Sequence, residues 1–282
     1  MNILLLGKTG QVGFELHRTL SVLGTITAPR REDIDLMNEQ AVASYLDQQR
    51  PNLIVNAAAW TAVDAAEDHQ VEAERLNTGL PKQLAEYATT NNGRLVHYSS
   101  DYVYPGNGKN LWQETSPTSP LSHYGKTKLQ GDQAIEQSGA DYLIFRTSWV
   151  YSARGNNFMK TMLRLAQSKT ELNIVADQIG APTSARLIAQ VTTLAIHGQL
   201  AKGLYHLAPN GETSWYSFAK EIFRIAGYNK KANPILTSDY PTPAQRPLNS
   251  RMGVTKLEQA LKIQLPAWQS QLELALSEYL EQ

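Results

Sequence analysis

The amino-acid sequence predicts an α/β fold, a doubly wound parallel sheet with a smaller C-terminal domain. Short β-rich runs alternate with helical-period segments through the first half, as they do in βαβ units. In the second half, Gly and Pro divide the chain into short pieces. The length of 282 residues fits one large domain with a smaller partner. We therefore predict domains over 1–149 and 150–282, with parts of 171–207 returning to the first.

The elements follow from apolar periodicity. Five strands are predicted at 3–6, 25–28, 53–56, 95–99 and 142–147. Helices are predicted at about 12–23, 70–91 and 124–137. A further helix is predicted between Asn38, which caps it, and Pro51. Three segments of the second half are expected to be able to rejoin the sheet. They are a strand at 171–175, a helix at 185–197 and a strand at 203–207. A final amphipathic helix covers 268–280, with Leu272, Leu276 and Leu280 on its packed face.

Composition excludes several classes of protein. With 42% hydrophobic and 18% charged residues, the chain can bury a sizeable core. Lys+Arg and Asp+Glu both number 26, so no basic excess attracts nucleic acid. The absence of Cys removes disulfides, thiolate nucleophiles and Cys-ligated zinc, and fits a reducing cytoplasm. No apolar run approaches a membrane span or a signal sequence. We expect a cytoplasmic protein without membrane or nucleic-acid partners.

A glycine turn follows the first predicted strand and opens the first helix. It reads Gly7-Lys8-Thr9-Gly10-Gln11-Val12-Gly13. Gly7 suits a tight turn, Gly10 lets the backbone approach a pyrophosphate, and Gly13 lets helix and strand pack closely. The helix N-terminus adds N–H groups and a positive dipole end. This context predicts a dinucleotide site on a Rossmann-type sheet, with all three glycines, Gln11 and Val12 at the cofactor.

The end of the second strand bears on which nicotinamide cofactor binds. An acidic side chain there accepts from a ribose 2′-OH, whereas a cation favours a 2′-phosphate. The chain places Arg30 and Arg31 first, followed by Glu32 and Asp33. We expect Arg30 to contact NADPH, and the two acids keep NADH as the alternative.

A tyrosine and a lysine four residues apart, Tyr124 and Lys128, share one face of a predicted helix. The ammonium is expected to lower the pKa of the phenol toward a range useful for acid/base chemistry. Ser100 ends the fourth strand, at the sheet edge where α/β proteins bind ligands. We predict Tyr124, Lys128 and Ser100 as the catalytic group of a hydride-transfer enzyme. The second Tyr-x-x-x-Lys, Tyr216 to Lys220, follows no such serine and is interpreted as structural.

Several blocks along the whole chain resemble the dTDP-4-dehydrorhamnose reductases, a family of the extended short-chain dehydrogenase/reductase superfamily. They are the glycine turn, Val55-Asn56-Ala57-Ala58-Ala59, Asp101-Tyr102-Val103-Tyr104-Pro105-Gly106, residues 124–128, Arg146-Thr147-Ser148-Trp149-Val150-Tyr151, Gly155-Asn156-Asn157-Phe158, Gly180-Ala181-Pro182-Thr183 and Arg246-Pro247. The resemblance implies NADPH-dependent reduction of the C4 keto group of dTDP-4-dehydro-L-rhamnose. The product, dTDP-L-rhamnose, supplies cell-surface polysaccharides such as lipopolysaccharide.

The resemblance also implies roles for individual residues. Tyr124 would donate the proton, Lys128 would tune the phenol and anchor the cofactor ribose, and Ser100 stands where a threonine is usual. Further cofactor contacts are implied at Asp35, Leu36, Ala59, Trp60 and Thr61. Substrate contacts are predicted at Ser100, Asp101, Trp149 and Asn157.

Two positions depart from the family pattern. Trp60 stands where a histidine is common. Arg186 stands where some members carry a glutamate that helps bind a dimer-bridging magnesium, and Glu15 alone does not make a metal site. We therefore predict no required metal. The oligomeric state stays open between monomer and homodimer.

Two other functions share this fold. A nucleotide-sugar dehydratase needs an acidic pair after the strand-four hydroxyl, but Tyr102 follows Asp101. A C4 epimerase needs retained NAD, against which the arginines at the second strand argue. From a different class, non-catalytic NADP-binding regulatory subunits lack the tyrosine and lysine that this chain keeps.

Overall fold

A parallel sheet of six strands forms the centre of the computed structural model, which describes residues 1–281. The strands of this sheet are β1 (Asn2–Leu6), β2 (Thr25–Thr27), β3 (Leu53–Asn56), β4 (Arg94–Ser100), β5 (Asp141–Thr147) and β10 (Gly203–His206). They lie side by side in the order β10-β5-β4-β3-β1-β2. The outer pieces are β6 (Val150–Tyr151), β7 (Glu171–Val175), β8 (Ile179–Gly180), β9 (Thr183–Ser184), β11 (Thr213–Ser214), β12 (Lys231–Ile235) and β13 (Asn249–Ser250). The order of the strands reverses between β1 and β3, which places a crevice at their carboxyl ends.

Ten α-helices surround these strands in the described part of the chain. They are α1 (Gln11–Thr19), α2 (Glu39–Gln49), α3 (Gln70–Glu74), α4 (Leu80–Thr90), α5 (His123–Gln137), α6 (Phe158–Ser168), α7 (Ala185–His197), α8 (Trp215–Ile225), α9 (Thr255–Leu261) and α10 (Trp268–Leu280). A π-helical turn, Arg75–Gly79, joins α3 to α4, so the predicted helix over 70–91 is one continuous rod.

Alternation along the strands separates two hydrophobic layers. Leu5 of β1 packs in one layer with residues of α1 and α7, whereas Leu4 and Leu6 pack in the other with residues of α2, α4 and α5. Successive side chains of a strand point to opposite faces, so a parallel strand covered on both faces is apolar throughout. The doubly wound α/β prediction is confirmed.

The elements predicted in the first half are present with small shifts at their ends. Asn38 caps α2 by accepting from the Ala41 amide at 3.0 Å. The first helix ends earlier than predicted, at Thr19, and a 3₁₀ turn continues it to Val22.

The three later segments expected to be able to rejoin the sheet behave differently. β10 pairs in parallel with β5 and becomes the sixth strand. α7 packs against α1 on the same sheet. The segment 171–175 does not return, because β7 pairs in parallel with β12 instead.

A separate hydrophobic cluster lies beyond β5. It gathers buried side chains of α6, α8 and α10, among them Met159, Phe218 and Leu272. This grouping agrees with a smaller C-terminal unit, whose boundary near residue 149 stays a prediction. In α10, Leu272 and Leu276 are buried, but Leu280 is 54% exposed and does not belong to the packed face expected for it. Within residues 1–281, no helix combines the length and apolar character needed to cross a membrane.

Candidate active site

The glycine turn between β1 and α1 is built so that no side chain fits at its tightest points. Gly7 has φ +84°, and a Cβ there would lie 2.7 Å from the backbone of Ala57. At Gly13, a Cβ would lie 2.0 Å from the Gly7 carbonyl oxygen. Gly10 is the N-cap of α1 and no side chain caps this end, unlike the ends of α2, α5 and α6. A phosphate group can therefore approach the backbone of the turn closely and accept hydrogen bonds from the uncapped N-terminus of α1.

The loop after β3 lies against this turn, since the Gly7 position faces Ala57. Further along the loop, Ala59 is half-buried and Thr61 is exposed. Trp60 is held by an amide clamp that the sequence did not predict. The buried Asn77 accepts from the Trp60 amide at 3.0 Å and donates to its carbonyl at 3.1 Å. The loop predicted to border the cofactor is thus fixed on α5 through Asn77, which also donates to Thr127 at 3.2 Å.

The charged segment after β2 is at the protein surface. Arg30 and Arg31 are both exposed, and the Arg30 Nη1 lies 3.4 Å from Glu32 Oε1. Asp33 accepts from the Arg30 backbone amide at 2.7 Å, so its carboxylate is occupied within the turn. The two arginines are therefore the exposed cations at the end of β2, with Arg30 paired to Glu32.

The two residues implied beside the adenine differ in burial. Asp35 is exposed and accepts from the Met37 amide at 3.0 Å, whereas Leu36 is half-buried and packs against the core layer of α2 and α4.

Ser100, Asp101 and Tyr124 meet at the carboxyl end of β4. The Ser100 hydroxyl donates to Asp101 Oδ1 at 3.1 Å, and it also faces the Tyr124 phenol. Tyr124 is the second residue of α5, and Gly125 lets this helix approach closely, because a Cβ there would lie 2.3 Å from the Tyr102 carbonyl oxygen. Burial raises the pKa of Asp101 to about 6. The structure therefore brings together the hydroxyls of Ser100 and Tyr124, two of the three residues predicted to be catalytic.

Lys128 lies behind this group, and its amine is directed into β4. It donates to the Tyr98 carbonyl and lies 3.3 Å from His97 Nε2. Burial lowers the pKa of Lys128 to about 8, while the charge of Asp132 opposes that shift. The amine is therefore easier to deprotonate than that of an ordinary lysine.

The expected lowering of the Tyr124 pKa is wrong for this structure. Burial raises it, and the nearby Asp101 raises it further, whereas the Ser100 hydroxyl gives only a partial offset. The cation of Lys128 does not lower it, because that amine is directed toward β4. The phenol therefore stays protonated at neutral pH, which is the form that can donate a proton.

A buried charge pair supports the same face of α5. Asp132 accepts from Arg146 Nε at 3.0 Å and from the Ser99 hydroxyl at 2.9 Å. Both charged side chains are buried. Sequence reasoning missed Asp132, His97 and Asn77, although a lone polar residue inside an apolar strand or helix face is the signal that marks each of them.

Trp149 follows β5 with φ +50°, in the left-handed region that a bulky residue seldom adopts. Its ring stacks on Trp215 with centroids 3.7 Å apart, and Gly180 leaves room for it, since a Cβ there would lie 3.0 Å from the indole. Strained positions of this kind are found more often at functional sites. The half-buried indole stands at the carboxyl edge of the sheet, where a sugar contact is predicted.

Asn157 is engaged in a different way from the other predicted substrate contacts. Its Oδ1 caps α6 by accepting from the Lys160 amide at 3.1 Å. Its Nδ2 donates to Gln11 Oε1 and to the Ser152 carbonyl, each at 2.8 Å. The whole amide group is occupied, so the structure links Asn157 to the glycine turn. Its contact with substrate stays a prediction.

Arg186 bridges two carboxylates at the surface between α1, α7 and α10. Its Nη2 lies 3.2 Å from Glu15 Oε1 and 2.6 Å from Glu278 Oε2. A guanidinium here neutralises the acids that a cation would otherwise bind. The absence of a required metal stays a prediction.

The second tyrosine and lysine pair lies in α8. There, Lys220 Nζ lies 5.5 Å from the ring centroid of Tyr216, and that ring packs against the cluster of α6, α8 and α10. This environment agrees with the structural interpretation.

Comparison with known proteins matches the RmlD substrate binding domain family over residues 1–281. The dTDP-4-dehydrorhamnose reductase of Shigella flexneri is 47% identical over 292 aligned residues, covering 99% of this chain and 98% of that protein. The crystal structure of a dTDP-4-dehydrorhamnose reductase from Clostridium acetobutylicum superposes with a TM-score of 0.95, 35% identity and full coverage of both chains. That of the Bacillus anthracis enzyme in complex with NADP gives a TM-score of 0.94 and 32% identity, covering 98% of this chain and 99% of that one. With identity this high along the whole length, the chain belongs to the dTDP-4-dehydrorhamnose reductase family.

Proposed function

We propose that this chain reduces the C4 keto group of dTDP-4-dehydro-L-rhamnose with NADPH and so forms dTDP-L-rhamnose. The observation that carries the proposal is the 47% identity, along nearly the whole of both chains, with a reductase of that name. The site agrees with it chemically, because Ser100 and the protonated Tyr124 meet at the carboxyl end of β4 beside the glycine turn's crevice. Reduction of a ketone needs a proton donor at that place.

The cofactor proposed is NADPH, which the Bacillus anthracis relative holds in its oxidised form. The close backbone approach at Gly7 and Gly10 and the uncapped end of α1 suit its pyrophosphate. Gln11, Val12 and Gly13 follow at the first turn, and Ala59 to Thr61 border the ribose and phosphates. Arg30 and Arg31 are the cations available to a 2′-phosphate. When bound, NADPH supplies the hydride that reduces the C4 carbon.

Tyr124 is the proposed proton donor. As the C4 carbon is reduced, the electron pair of the C=O bond would move to oxygen, and the Tyr124 phenol would pass its proton to that oxygen. Ser100 would turn its hydroxyl from Asp101 toward the same oxygen and hold that oxygen near the phenol. Lys128 is proposed to bind the ribose hydroxyls of the cofactor. Burial lowers the pKa of its amine to about 8.

The sugar nucleotide is proposed to lie between the end of β4 and Trp149. Ser100 and Asp101 would contact the sugar from one side, and the Trp149 ring would cover it from the other. Asp101 is buried beside Ser100, and its carboxylate accepts from the Ser100 hydroxyl away from bulk water.

The remaining partners follow from charge and composition. We infer that the protein works in the cytoplasm, as a monomer or homodimer, without binding nucleic acid, because its net charge is zero. We also propose a cofactor domain over 1–149, rejoined by parts of 171–207, and a mainly substrate-binding domain over 150–282.

One experiment tests the activity directly. The protein is incubated with NADPH and a panel of dTDP- and UDP-linked 4-keto-6-deoxy sugars while loss of the cofactor absorbance is followed. We expect turnover with dTDP-4-dehydro-L-rhamnose and formation of dTDP-L-rhamnose. No oxidation of NADPH with any dTDP-sugar, or turnover of UDP-sugars alone, contradicts the proposal.

A further inference from the structure

The Ser250 hydroxyl is a buried polar group to which the proposed reaction gives no role. Ser250 is 1% exposed and ends β13, which pairs in parallel with β8 and places Ser250 beside Gly180. Its Oγ has no hydrogen-bond partner among residues 1–281. Burying a hydroxyl without a partner costs free energy of folding, and native proteins contain few such groups. A hydrogen bond to a bound ligand would account for this one.

The carboxyl group of Asp101 lies beside the Ser250 hydroxyl and is only partly used. Its Oδ1 accepts from Ser100 at 3.1 Å. Its Oδ2 is buried and accepts no hydrogen bond from the part of the chain that the structure describes. An acceptor and a hydroxyl thus stand side by side, each with unused hydrogen-bonding capacity. One hydroxyl of a ligand can satisfy both, because it can donate to Oδ2 and accept from Ser250.

Ser250 also borders Trp149. A Cβ built at Gly180 would lie 3.0 Å from the Cβ of Ser250 and 3.0 Å from the Trp149 indole. Both side chains therefore lie over the same side of Gly180, which has no side chain to separate them. Ser250 thus neighbours both Asp101 and Trp149, the residues proposed to contact the sugar from either side.

The backbone of Ser250 is held in place by the residue before it. The Asn249 amide donates to the Gly106 carbonyl at 2.8 Å. Asn249 Nδ2 donates to the carbonyls of Asn107 and Asn110, at 3.2 Å and 2.9 Å. β13 is thereby fastened to the loop over 106–110, so the Ser250 backbone has little conformational freedom to lose when a ligand binds.

We propose that Ser250 is a specificity-determining residue, which together with Asp101 binds the sugar hydroxyl next to the reacting keto group. This inference rests on the proposed reductase function. In a 4-keto-6-deoxy hexose, C3 carries a hydroxyl, whereas C5 carries the methyl group and the ring oxygen. Ser100 is proposed to hold the C4 oxygen, and its neighbour in the chain, Asp101, reaches the C3 hydroxyl. That hydroxyl donates to Asp101 Oδ2 and accepts from Ser250.

Ser250→Ala removes the hydroxyl with the smallest change of shape. We expect the KM of dTDP-4-dehydro-L-rhamnose to rise about fivefold, the order of one neutral hydrogen bond, with the NADPH dissociation constant unchanged. The melting temperature is expected not to fall, because the hydroxyl has no partner to lose within the protein. A fall would show that Ser250 serves instead to bond Asp101 directly, and would overturn the proposal.

A substrate analogue shows which hydroxyl Ser250 contacts. With the 3-deoxy analogue of the substrate, Ser250→Ala and the wild type are expected to have the same KM, because the hydroxyl that Ser250 binds is missing from the sugar. A fivefold difference that persists with the analogue would overturn the assignment to C3.

Thr192→Val is the matched control, since it also deletes a buried hydroxyl. Thr192 belongs to α7, and its Oγ1 lies 2.9 Å from the Tyr98 hydroxyl. The opposite pattern is expected, a lower melting temperature with an unchanged sugar KM, because this hydroxyl has a partner within the protein. An equal rise of the sugar KM in Thr192→Val would overturn the proposal.

Calorimetric titration of dTDP-L-rhamnose into the NADP-bound protein separates this inference from the proposed function. Because it needs no turnover, it tests Ser250 even if the wild type reduces no sugar. We expect Ser250→Ala to bind dTDP-L-rhamnose about fivefold more weakly than the wild type. Equal binding overturns the role of Ser250 alone, and a wild type that binds no dTDP-L-rhamnose overturns both proposals.

Discussion

Asn157 Nδ2 donates to Gln11 Oε1 at 2.8 Å, and this bond ties the N-terminus of α6 to the glycine turn. The Ser152 hydroxyl donates to the same oxygen at 3.1 Å. Close by, the Arg154 guanidinium lies 4.0 Å from the ring centroid of Phe14 in α1. The segment that follows β6 is therefore bonded to the turn proposed to hold the pyrophosphate, and we expect changes in this segment to affect cofactor binding.

Asn157→Asp tests this link, since aspartate still caps a helix but cannot donate to Gln11. A carboxylate would face Gln11 Oε1 and stand near the phosphates of the cofactor. We expect NADPH binding to weaken by about tenfold, from one lost hydrogen bond and added repulsion, as measured by fluorescence titration. The control is Asn38→Asp, the same change at the cap of α2, which is expected to leave binding unaltered. If Asn157→Asp bound NADPH as tightly as the wild type, the bond between Asn157 and Gln11 would have no role in cofactor binding.

Cofactor choice is expected to depend on Arg30 and Arg31. Replacing both with Ala removes the exposed cations at the end of β2, and each charge-assisted contact contributes about 1.5–3 kcal/mol. The NADPH KM is therefore expected to rise at least tenfold, and the NADH KM much less. Steady-state kinetics with both cofactors measures this. The assignment fails if both KM values change equally. Glu32→Ala, which frees Arg30 from its partner at 3.4 Å, is expected to lower the NADPH KM slightly.

The fold could be predicted from sequence because its signals are local. The apolar runs of β1, β3, β4 and β5 and the glycine turn each specify a strand or a turn within a few residues. The partner of β7 was not predictable in this way. Pairing of β7 with β12 joins segments about sixty residues apart, and the sequence of neither strand indicates which strand it pairs with.

The site was predictable only where a motif carries it. Tyr124 and Lys128 could be predicted from their spacing, and Ser100 from its place at the end of a strand. The direction of the Lys128 amine, and with it the pKa of Tyr124, depends on His97 and the Tyr98 carbonyl, which fold onto α5 from a distant strand. Burial decides these pKa values, and no spacing rule states how deeply a helix face is covered.

Chelation is expected to change neither turnover nor oligomer size, because Arg186 occupies the space between Glu15 and Glu278. Activity and size-exclusion elution are compared with and without EDTA. Loss of activity or a change of elution with EDTA would mean that a metal acts elsewhere in the protein. The complementary variant, Arg186→Ala, leaves the buried Glu15 without its cation and should lower the melting temperature by several degrees.

NADPH binding is expected to weaken above about pH 8, where Lys128 loses its proton. Burial disfavours the charged ammonium, so Lys128 loses its proton at a lower pH than an exposed lysine does. The positive charge proposed to bind the cofactor is therefore lost as the pH rises through about 8. Below that pH the dissociation constant is expected to be constant, and above it to rise by up to about tenfold per pH unit. Titrations from pH 6 to about 10 measure the curve. Lys128→Met is expected to bind weakly at every pH without this rise, and a wild-type curve that is flat throughout would contradict the assignment.

The proposed chemistry depends most on the Tyr124 phenol. Tyr124→Phe keeps the ring, and with it the edge-on packing of Tyr102 at a centroid distance of 5.4 Å, but removes the acid. General acid catalysis typically contributes about 10²–10⁴-fold, so kcat should fall by that factor while NADPH binding changes little. Ser100→Ala should mainly lower kcat, since the hydrogen bond from Ser100 to the oxygen strengthens as charge develops there. Single-turnover measurements with saturating NADPH and sugar nucleotide separate this chemical step from binding.

Tyr216→Phe is the matched control, because Tyr216 also begins a helix and has a lysine four residues further along. Its ring packs in the cluster of α6, α8 and α10, where the hydroxyl takes no part in the proposed reaction. Turnover should stay near that of the wild type. If Tyr216→Phe abolished turnover and Tyr124→Phe did not, the active site would have to be placed at α8, and the roles of Ser100 and Lys128 would be lost with it.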